Sequence, residues 1–272
     1  MDAGGAMTIE ADRENLRALL AWYAEMGVDE AIGEEPLDRF AASAVAPASQ
    51  AERSKLARSE PLPSPIRKSA QRSPVATEAA SLSELAALVG SFEGCALKRT
   101  AKSLCFSRGS ETAGVMFIGE APGRDEDLQG KPFVGRAGQL LDRMLAAIGL
   151  DDNEVYITNT VYWRPPGNRT PTPEEIGACA PFLARQIELV GPKILVLLGG
   201  AAAKTLLGVT EGIMRLRGKW QSYESASTTI PALATLHPAY LLRNPAHKRY
   251  AWRDLLLIKS ALDQRAGPGS PP

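Results

Sequence analysis

The chain has 272 residues, enough for one large domain or two small ones with real hydrophobic cores. Its 31 basic and 31 acidic residues cancel, so overall charge carries no nucleic-acid signal and only local clustering can point to a partner. Three irregularly spaced cysteines, Cys95, Cys105 and Cys179, exclude a four-cysteine metal site and a secreted disulfide framework, and no run of about 20 apolar residues is present to cross a bilayer.

At the N-terminus, Met1-Asp2-Ala3-Gly4-Gly5 has no basic region leading into an apolar stretch, so no signal peptide is expected and a cytoplasmic location follows. Residues 1–40 are expected to hold a helical segment, because Leu16, Leu19, Leu20 and Tyr23 recur at spacings of three and four. That face would dock on the main body or bind a partner. From 41 to 80 the pattern dissolves into Ala, Ser, Pro, Arg and Lys, including Pro61-Leu62-Pro63-Ser64-Pro65. Such a stretch buries too little to offset its ordering cost and reads as a flexible linker. Its Arg67, Lys68 and Arg72 are either loose DNA contacts or a solvated tether.

The main domain is expected over 81–265, opening on a short helix with Leu82, Leu85 and Leu88. Val115–Ile118 reads as a buried strand, Gln139–Ile148 as a helix stopped by Gly149, and Val155–Thr160 as the next strand. A helix from Thr172 to Val190 opens on the capping-box pattern Thr172-Pro173-Glu174-Glu175. Ile194–Leu198 is a third strand, followed by an alanine-rich helix to about Leu207. Ile230–Leu236 is a weaker strand and Pro245–Leu262 a final helix, with a disordered tail over 266–272. Short apolar strands alternating with helices predict an α/β fold, a three-layer sandwich with a mostly parallel central sheet. Ligand sites in such folds lie outside the C-terminal strand ends, which singles out the residues just after Ile118, Thr158, Leu198 and Leu236.

The first of these ends runs Gly119-Glu120-Ala121-Pro122-Gly123-Arg124-Asp125-Glu126-Asp127. Four carboxylates argue against a phosphate loop, which needs free N–H groups and a Lys-Ser/Thr pair. They suit one carboxylate positioning water at an electrophilic carbon, although a Glu after a strand also serves as a turn or cap. In Gly130-Lys131-Pro132-Phe133-Val134-Gly135-Arg136-Ala137-Gly138, Phe133 is either a face for a flat ligand or core. Asn159 ends the second strand with an amide that donates and accepts in one plane, suited to a base edge. Trp163-Arg164-Pro165-Pro166-Gly167-Asn168-Arg169 is a rigid basic loop suited to phosphates. His237 sits at the last strand end, opposite Glu120. Leu241 and Leu242, between Tyr240 and Arg243, are either wedges for a base stack or the start of the closing helix.

Gly119–Gly123, Gly130–Gly138, Tyr156–Asn159, Arg164–Arg169 and His237–Arg243 together resemble the family four uracil-DNA glycosylases, with matches in order from about Leu88 to Leu257. The resemblance implies a Rossmann-like sandwich acting on uracil in single- or double-stranded DNA. It assigns Glu120 and His237 as catalytic, the first for water, the second for the charge developing on the leaving base. It places Gly119, Ala121, Glu126, Phe133, Asn159 and Asn168 around the substrate: Phe133 stacks on uracil, Asn159 reads its polar edge, and Glu126 crowds the C5 face against thymine. Arg164, Arg169, Leu241, Leu242 and Arg243 are assigned to DNA.

The family usually carries a [4Fe–4S] cluster held by a Cys-x-x-Cys pair before the first motif, a cysteine before Arg-Pro-Pro and another downstream. Here only Cys179 matches the last position; Trp163 occupies the third, and the pair has become Cys95-Ala96-Leu97-Lys98. No cofactor is therefore expected. The expected activity is a monofunctional glycosylase, since no pocket lysine stands out as a Schiff-base nucleophile, working as a monomer. Two other classes stay open: a uracil-DNA binding or covalently trapping module without turnover, and an enzyme of free uridine compounds.

Overall fold

Runs of five aliphatic-rich residues form the centre of the sheet, each buried along its whole length: β2 (Val115–Gly119), β3 (Val155–Asn159) and β4 (Ile194–Leu198). With β6 (Thr229–Thr235) they make a parallel core, edged by two antiparallel strands, β1 (Arg108–Gly109) and β5 (Trp220–Glu224). The order across the sheet is β1-β3-β2-β4-β6-β5. The computed structural model describes residues 79–224 and 229–266, all within one compact unit spanning Pro61–Pro272. The expected helical segment of 1–40, nearly all of the linker and the tail beyond 266 lie outside the described residues.

Strand alternation sends successive side chains to opposite faces, and each face has its own core. Met116, Ile118, Tyr156, Leu195, Leu197, Ala232 and Ala234 pack on Leu183 and Ile187 of α4 (Pro173–Val190) and on Ala202 and Ala203 of α5 (Gly200–Leu207). Val115, Phe117, Ile157, Val196 and Leu233 pack on Leu141 and Leu145 of α3 (Arg136–Ala146) and on Leu255 and Ile258 of α8 (Lys248–Ala266). The result is a three-layer α/β sandwich with a mostly parallel sheet, as the alternation predicts. A third cluster joins α1 (Leu82–Ser91) to α4 through Leu85, Val89, Tyr162, Trp163 and Phe182.

Local chemistry sets the helix ends. Thr172 and Glu175 form the expected reciprocal capping box on α4, with Pro173 in its first turn, and Gly191 ends the helix at φ 57°. Besides the edge strands β1 and β5, three helical elements depart from expectation. The acidic stretch after β2 is a helix, α2 (Arg124–Gln129), whose three first-turn carboxylates favour an N-terminus. Ile213–Leu216 forms a short α6 before the edge strand β5. The closing segment is split: α7 (Pro238–Arg243) is separated from α8 by a 3-10 turn at Pro245–His247.

Candidate active site

Parallel pairing of β2 with both β3 and β4 makes β2 the point where the chain switches direction across the sheet, the place where folds of this kind form a ligand crevice beyond the C-terminal strand ends. Gly119 and Asn159 are the last residues of β2 and β3, Gly199 follows β4, and the Leu236–His237 pair follows β6. Gly119 forms the floor. A Cβ there would lie 2.4 Å from Asn159 Oδ1 and 2.5 Å from Phe133 Cζ, so only glycine lets the amide and the ring approach each other. Asn159 is 1% exposed, and neither its Oδ1 nor its Nδ2 has a hydrogen-bond partner. An unpaired buried amide costs free energy that a complementary ligand recovers.

Phe133 walls the crevice in a left-handed backbone conformation, φ 56°, a costly choice for a non-glycine residue. Two features hold it there. Gly138, in the first turn of α3, has no Cβ; one would lie 1.8 Å from the Phe133 carbonyl oxygen. Glu126 is buried and accepts backbone N–H bonds from Gly123 (3.1 Å), Val134 (3.0 Å) and Gly135 (2.9 Å). Its carboxylate thus joins the turn after β2 to the loop carrying Phe133. The resemblance implies a place for Glu126 at the uracil C5 face; its backbone role, which depends on the fold of the intervening loop, was not legible.

His237 faces Phe133 with ring centroids 5.6 Å apart, and it caps α7. Its Nδ1 accepts the Ala239 N–H at 3.1 Å, so the neutral ring carries its proton on Nε2. Burial first, and the Arg243 charge second, pull its pKa down to about 4. Glu120 is half-buried, and its backbone carbonyl accepts from the Thr160 hydroxyl at 2.6 Å. Burial raises its carboxyl pKa above the ordinary value, partly offset by a hydrogen bond from the Thr170 side chain. The ends of β2, β3 and β6 therefore carry a neutral N–H donor, an aromatic ring and an unpaired amide, with the Glu120 carboxyl on the residue after Gly119.

The remaining site candidates sort by exposure. Ala121 lies partly buried beside the crevice turn. Arg164 is half-buried, and its Nε donates to Asn168 Oδ1 at 2.7 Å. Asn168 is exposed, with φ 55°, and its amide oxygen is turned to Arg164. Arg169 is exposed but makes two bonds to Glu175, at 2.8 and 2.6 Å. Leu241 is 0% exposed, packed with Leu140, Leu236 and Ala251, whereas Leu242 is half-buried and Arg243 exposed. A brace beneath His237 escaped the sequence: Asp254 accepts from Arg217 Nε (3.0 Å), from Arg217 Nη2 and from the Thr235 hydroxyl (2.6 Å).

The residues do not fit a four-iron cluster. Trp163 fills the position before Arg164 and is buried in an apolar cluster with Leu97, Tyr162 and Phe182. Lys98 pairs with Glu93 at the surface, and the Cys105 thiol donates to the Glu126 carbonyl at 3.1 Å. Among the described residues no three His, Cys, Asp or Glu side chains converge as metal ligands. No helix of the described residues is long and apolar enough to cross a membrane.

The profile of the uracil DNA glycosylase superfamily matches residues 106–256. The chain is 43% identical over 169 residues to the type-4 uracil-DNA glycosylase of Archaeoglobus fulgidus, covering 61% of this chain and 85% of that protein. It is 41% identical over 176 residues to that of Saccharolobus solfataricus (63% and 82%), and 40% identical over 169 residues to that of Thermotoga maritima (61% and 86%). The matched span contains every residue of the crevice, and on that ground the chain belongs to the uracil DNA glycosylase superfamily, within its type-4 family.

Proposed function

We propose that the protein hydrolyses the N-glycosidic bond of deoxyuridine in DNA, releasing uracil and leaving an abasic site. The observation that carries this reading is the Asn159 amide, buried with both polar atoms unpaired between Gly119 and Phe133. Uracil presents an adjacent N–H and carbonyl oxygen on one edge, which an amide satisfies with one acceptor and one donor in a plane. Phe133 supplies the stacking face. Glu126 fixes that wall, and exclusion of the thymine methyl follows from how rigidly the wall stands.

Deoxyuridine must leave the stack before its glycosidic carbon is reachable, at a cost of a few kcal/mol. Phosphate contacts by Arg164 and Arg243, with Leu242 entering the vacated space, offset that cost. As the C–N bond breaks, negative charge grows on the uracil oxygen. A neutral His237 donates its Nε2–H to that oxygen and needs no proton transfer. Glu120 stabilises the positive sugar and orients the water that adds at C1′. The water proton leaves through the Glu120 carboxylate, and uracil departs as an anion held by His237. No lysine enters this scheme, so strand cleavage is not part of the activity.

The test is single-turnover uracil release from a labelled oligonucleotide with one deoxyuridine, read by alkali cleavage. Wild type should release uracil and give no covalent adduct under borohydride. Asn159→Ala should slow release at least about 100-fold, the scale of about 3 kcal/mol for two hydrogen bonds to a buried base. Uracil-specific binding by wild type without release, or a protein–DNA adduct stable to denaturation, would replace the hydrolase reading with that of a recognition or trapping module.

A further inference from the structure

Cys95 and Cys179 come from segments 84 residues apart, yet their sulfurs lie 4.0 Å from one another in the interior. Cys95 immediately precedes the 3-10 turn Ala96–Arg99, and Cys179 sits midway along α4. The same two segments are already held by Phe92 against Phe182, edge to face at 4.9 Å. Leu97, Tyr162 and Trp163 close the apolar shell around the sulfurs. Nothing in the proposed hydrolysis uses either thiol. With no third ligand converging on them among the described residues, the pair also lacks the donor set of a structural metal site there.

We infer that Cys95 and Cys179 are a redox pair that closes to a disulfide, covalently fastening the segment after α1 to α4 beneath the Trp163–Arg169 loop. The geometry favours it: the partners are adjacent, their backbones are held by packing that the bond would not displace, and the sulfurs need close only from 4.0 Å to bonding distance. The two thiols are also chemically unequal. A hydrogen bond from the Cys179 thiol, followed by backbone N–H groups of Leu97 and Lys98 acting against burial, holds the Cys95 thiol below its ordinary pKa. Cys179 is pushed up by donating that bond and by burial, and stays a thiol. One nucleophilic thiolate beside one resolving thiol is the arrangement that oxidation chemistry uses.

With a hydroperoxide as oxidant, the Cys95 thiolate attacks the peroxide oxygen and the O–O bond breaks, giving a Cys95 sulfenic acid. The departing hydroxide takes up a proton from solvent, equal to the one Cys95 gave up on ionising, and leaves as water. Cys179 then attacks the Cys95 sulfur, the S–S bond forms, and the sulfenic oxygen leaves with the Cys179 proton as a second water. The two sulfurs lose two electrons and the peroxide gains two. Cys105 serves as an internal contrast: its thiol donates to a backbone carbonyl, that of Glu126, instead of to another thiol, and burial lifts its pKa to about 12.

The test needs no DNA, so it stands or falls separately from the proposed activity. The full-length protein is treated with hydrogen peroxide, denatured and alkylated, and its peptides are read by mass spectrometry. Two of the three cysteines should resist alkylation, in a linked Cys95–Cys179 peptide that reductant releases, while Cys105 alkylates. The oxidised protein should melt at a temperature higher by about 5 °C or more, because an 84-residue loop is closed in the unfolded chain. Cys95→Ser and Cys179→Ser should each abolish the shift. Three alkylated thiols after peroxide, a Cys105-containing crosslink, or a sulfinic acid on Cys95 with Cys179 free would each overturn the pair.

Discussion

His237 keeps a neutral ring because the Ala239 N–H occupies Nδ1 and burial opposes a second proton. Glu120 meets the same burial with the opposite result, a carboxyl that holds its proton above the ordinary pH. Only one of them then limits the rate in mild acid. Uracil release should follow a single acidic limb set by Glu120 ionisation, rising as pH increases and flat through about pH 6.5, where an ordinary histidine titrates. Glu120→Gln should lower the plateau and remove the limb. A rate that falls as pH rises through about 6.5 would mean that the working form is imidazolium. For stability the sign is set by the depressed His237 pKa: its contribution is complete above about pH 6.5 and is lost as pH falls towards about 4. Glu126 makes a different demand, since its oxygens are spent on backbone. Glu126→Gln turns an NH₂ group towards N–H donors and should cut kcat/KM about tenfold or more, with purified protein still folded by circular dichroism. An unchanged kcat/KM would leave Phe133 positioned by Gly138 and the helix start alone.

At the scale of elements, α7 shows where periodicity stops being readable. Six residues give less than two turns, so sequence could not decide whether Leu241 or Leu242 faces inward. Phase decides it: Pro238 and Leu241, three apart, are both buried, and Leu242 lies about 100° further round, at the rim. Leu241→Ala should therefore destabilise the fold by about 2–5 kcal/mol in urea titration, as a core truncation does. Leu242→Ala should cost much less stability and slow release from duplex more than from single strands, where no stack need be filled. Equal effects on both substrates would remove Leu242 from the wedge role. The buried strands β2 and β4 were legible because each is a continuous apolar run, the first ending in Gly119 and the second followed by Gly199. The edge strands were not: β5 reads Trp-Gln-Ser-Tyr-Glu, with alternate residues at the surface, and little in it separates strand from loop. The α2 helix was hidden for a related reason, since Arg-Asp-Glu-Asp-Leu-Gln has no apolar period. Arg169 was legible as a basic loop residue, but its bidentate tie to Glu175 depends on where the capping box points.

At the scale of the molecule, four strand ends from distant parts of the chain must hold a pocket to within fractions of an ångström. Alternation of strands and helices was enough to place that pocket at the sheet's C-terminal edge; what keeps the edge in register was not legible, because it is a buried ion pair between remote residues. Asp254 of α8 is 0% exposed and binds Arg217 and the Thr235 hydroxyl at the end of β6, while Arg217 also reaches the Tyr250 carbonyl at 2.7 Å. Gly218 leaves room for it: a Cβ there would lie 2.7 Å from Asp254 Oδ1. Two residues beyond Thr235 stands His237, so the brace sets the base of the loop that carries it. Removing one partner strands the other charge in the interior. Asp254→Ala should cost about 3–5 kcal/mol of stability, measured by urea titration, and lower uracil release under conditions where the variant remains folded. Replacing both partners, as in Asp254→Leu with Arg217→Met, should recover much of the stability, because the unpaired charge is gone. It should not recover the rate, since Thr235 has then lost its acceptor and the His237 loop its anchor. Recovery of both together would make the brace a stability element alone, with the geometry of His237 fixed instead by its own cap on α7 and its close approach to Gly199, where a Cβ would lie 3.1 Å from His237 Cβ.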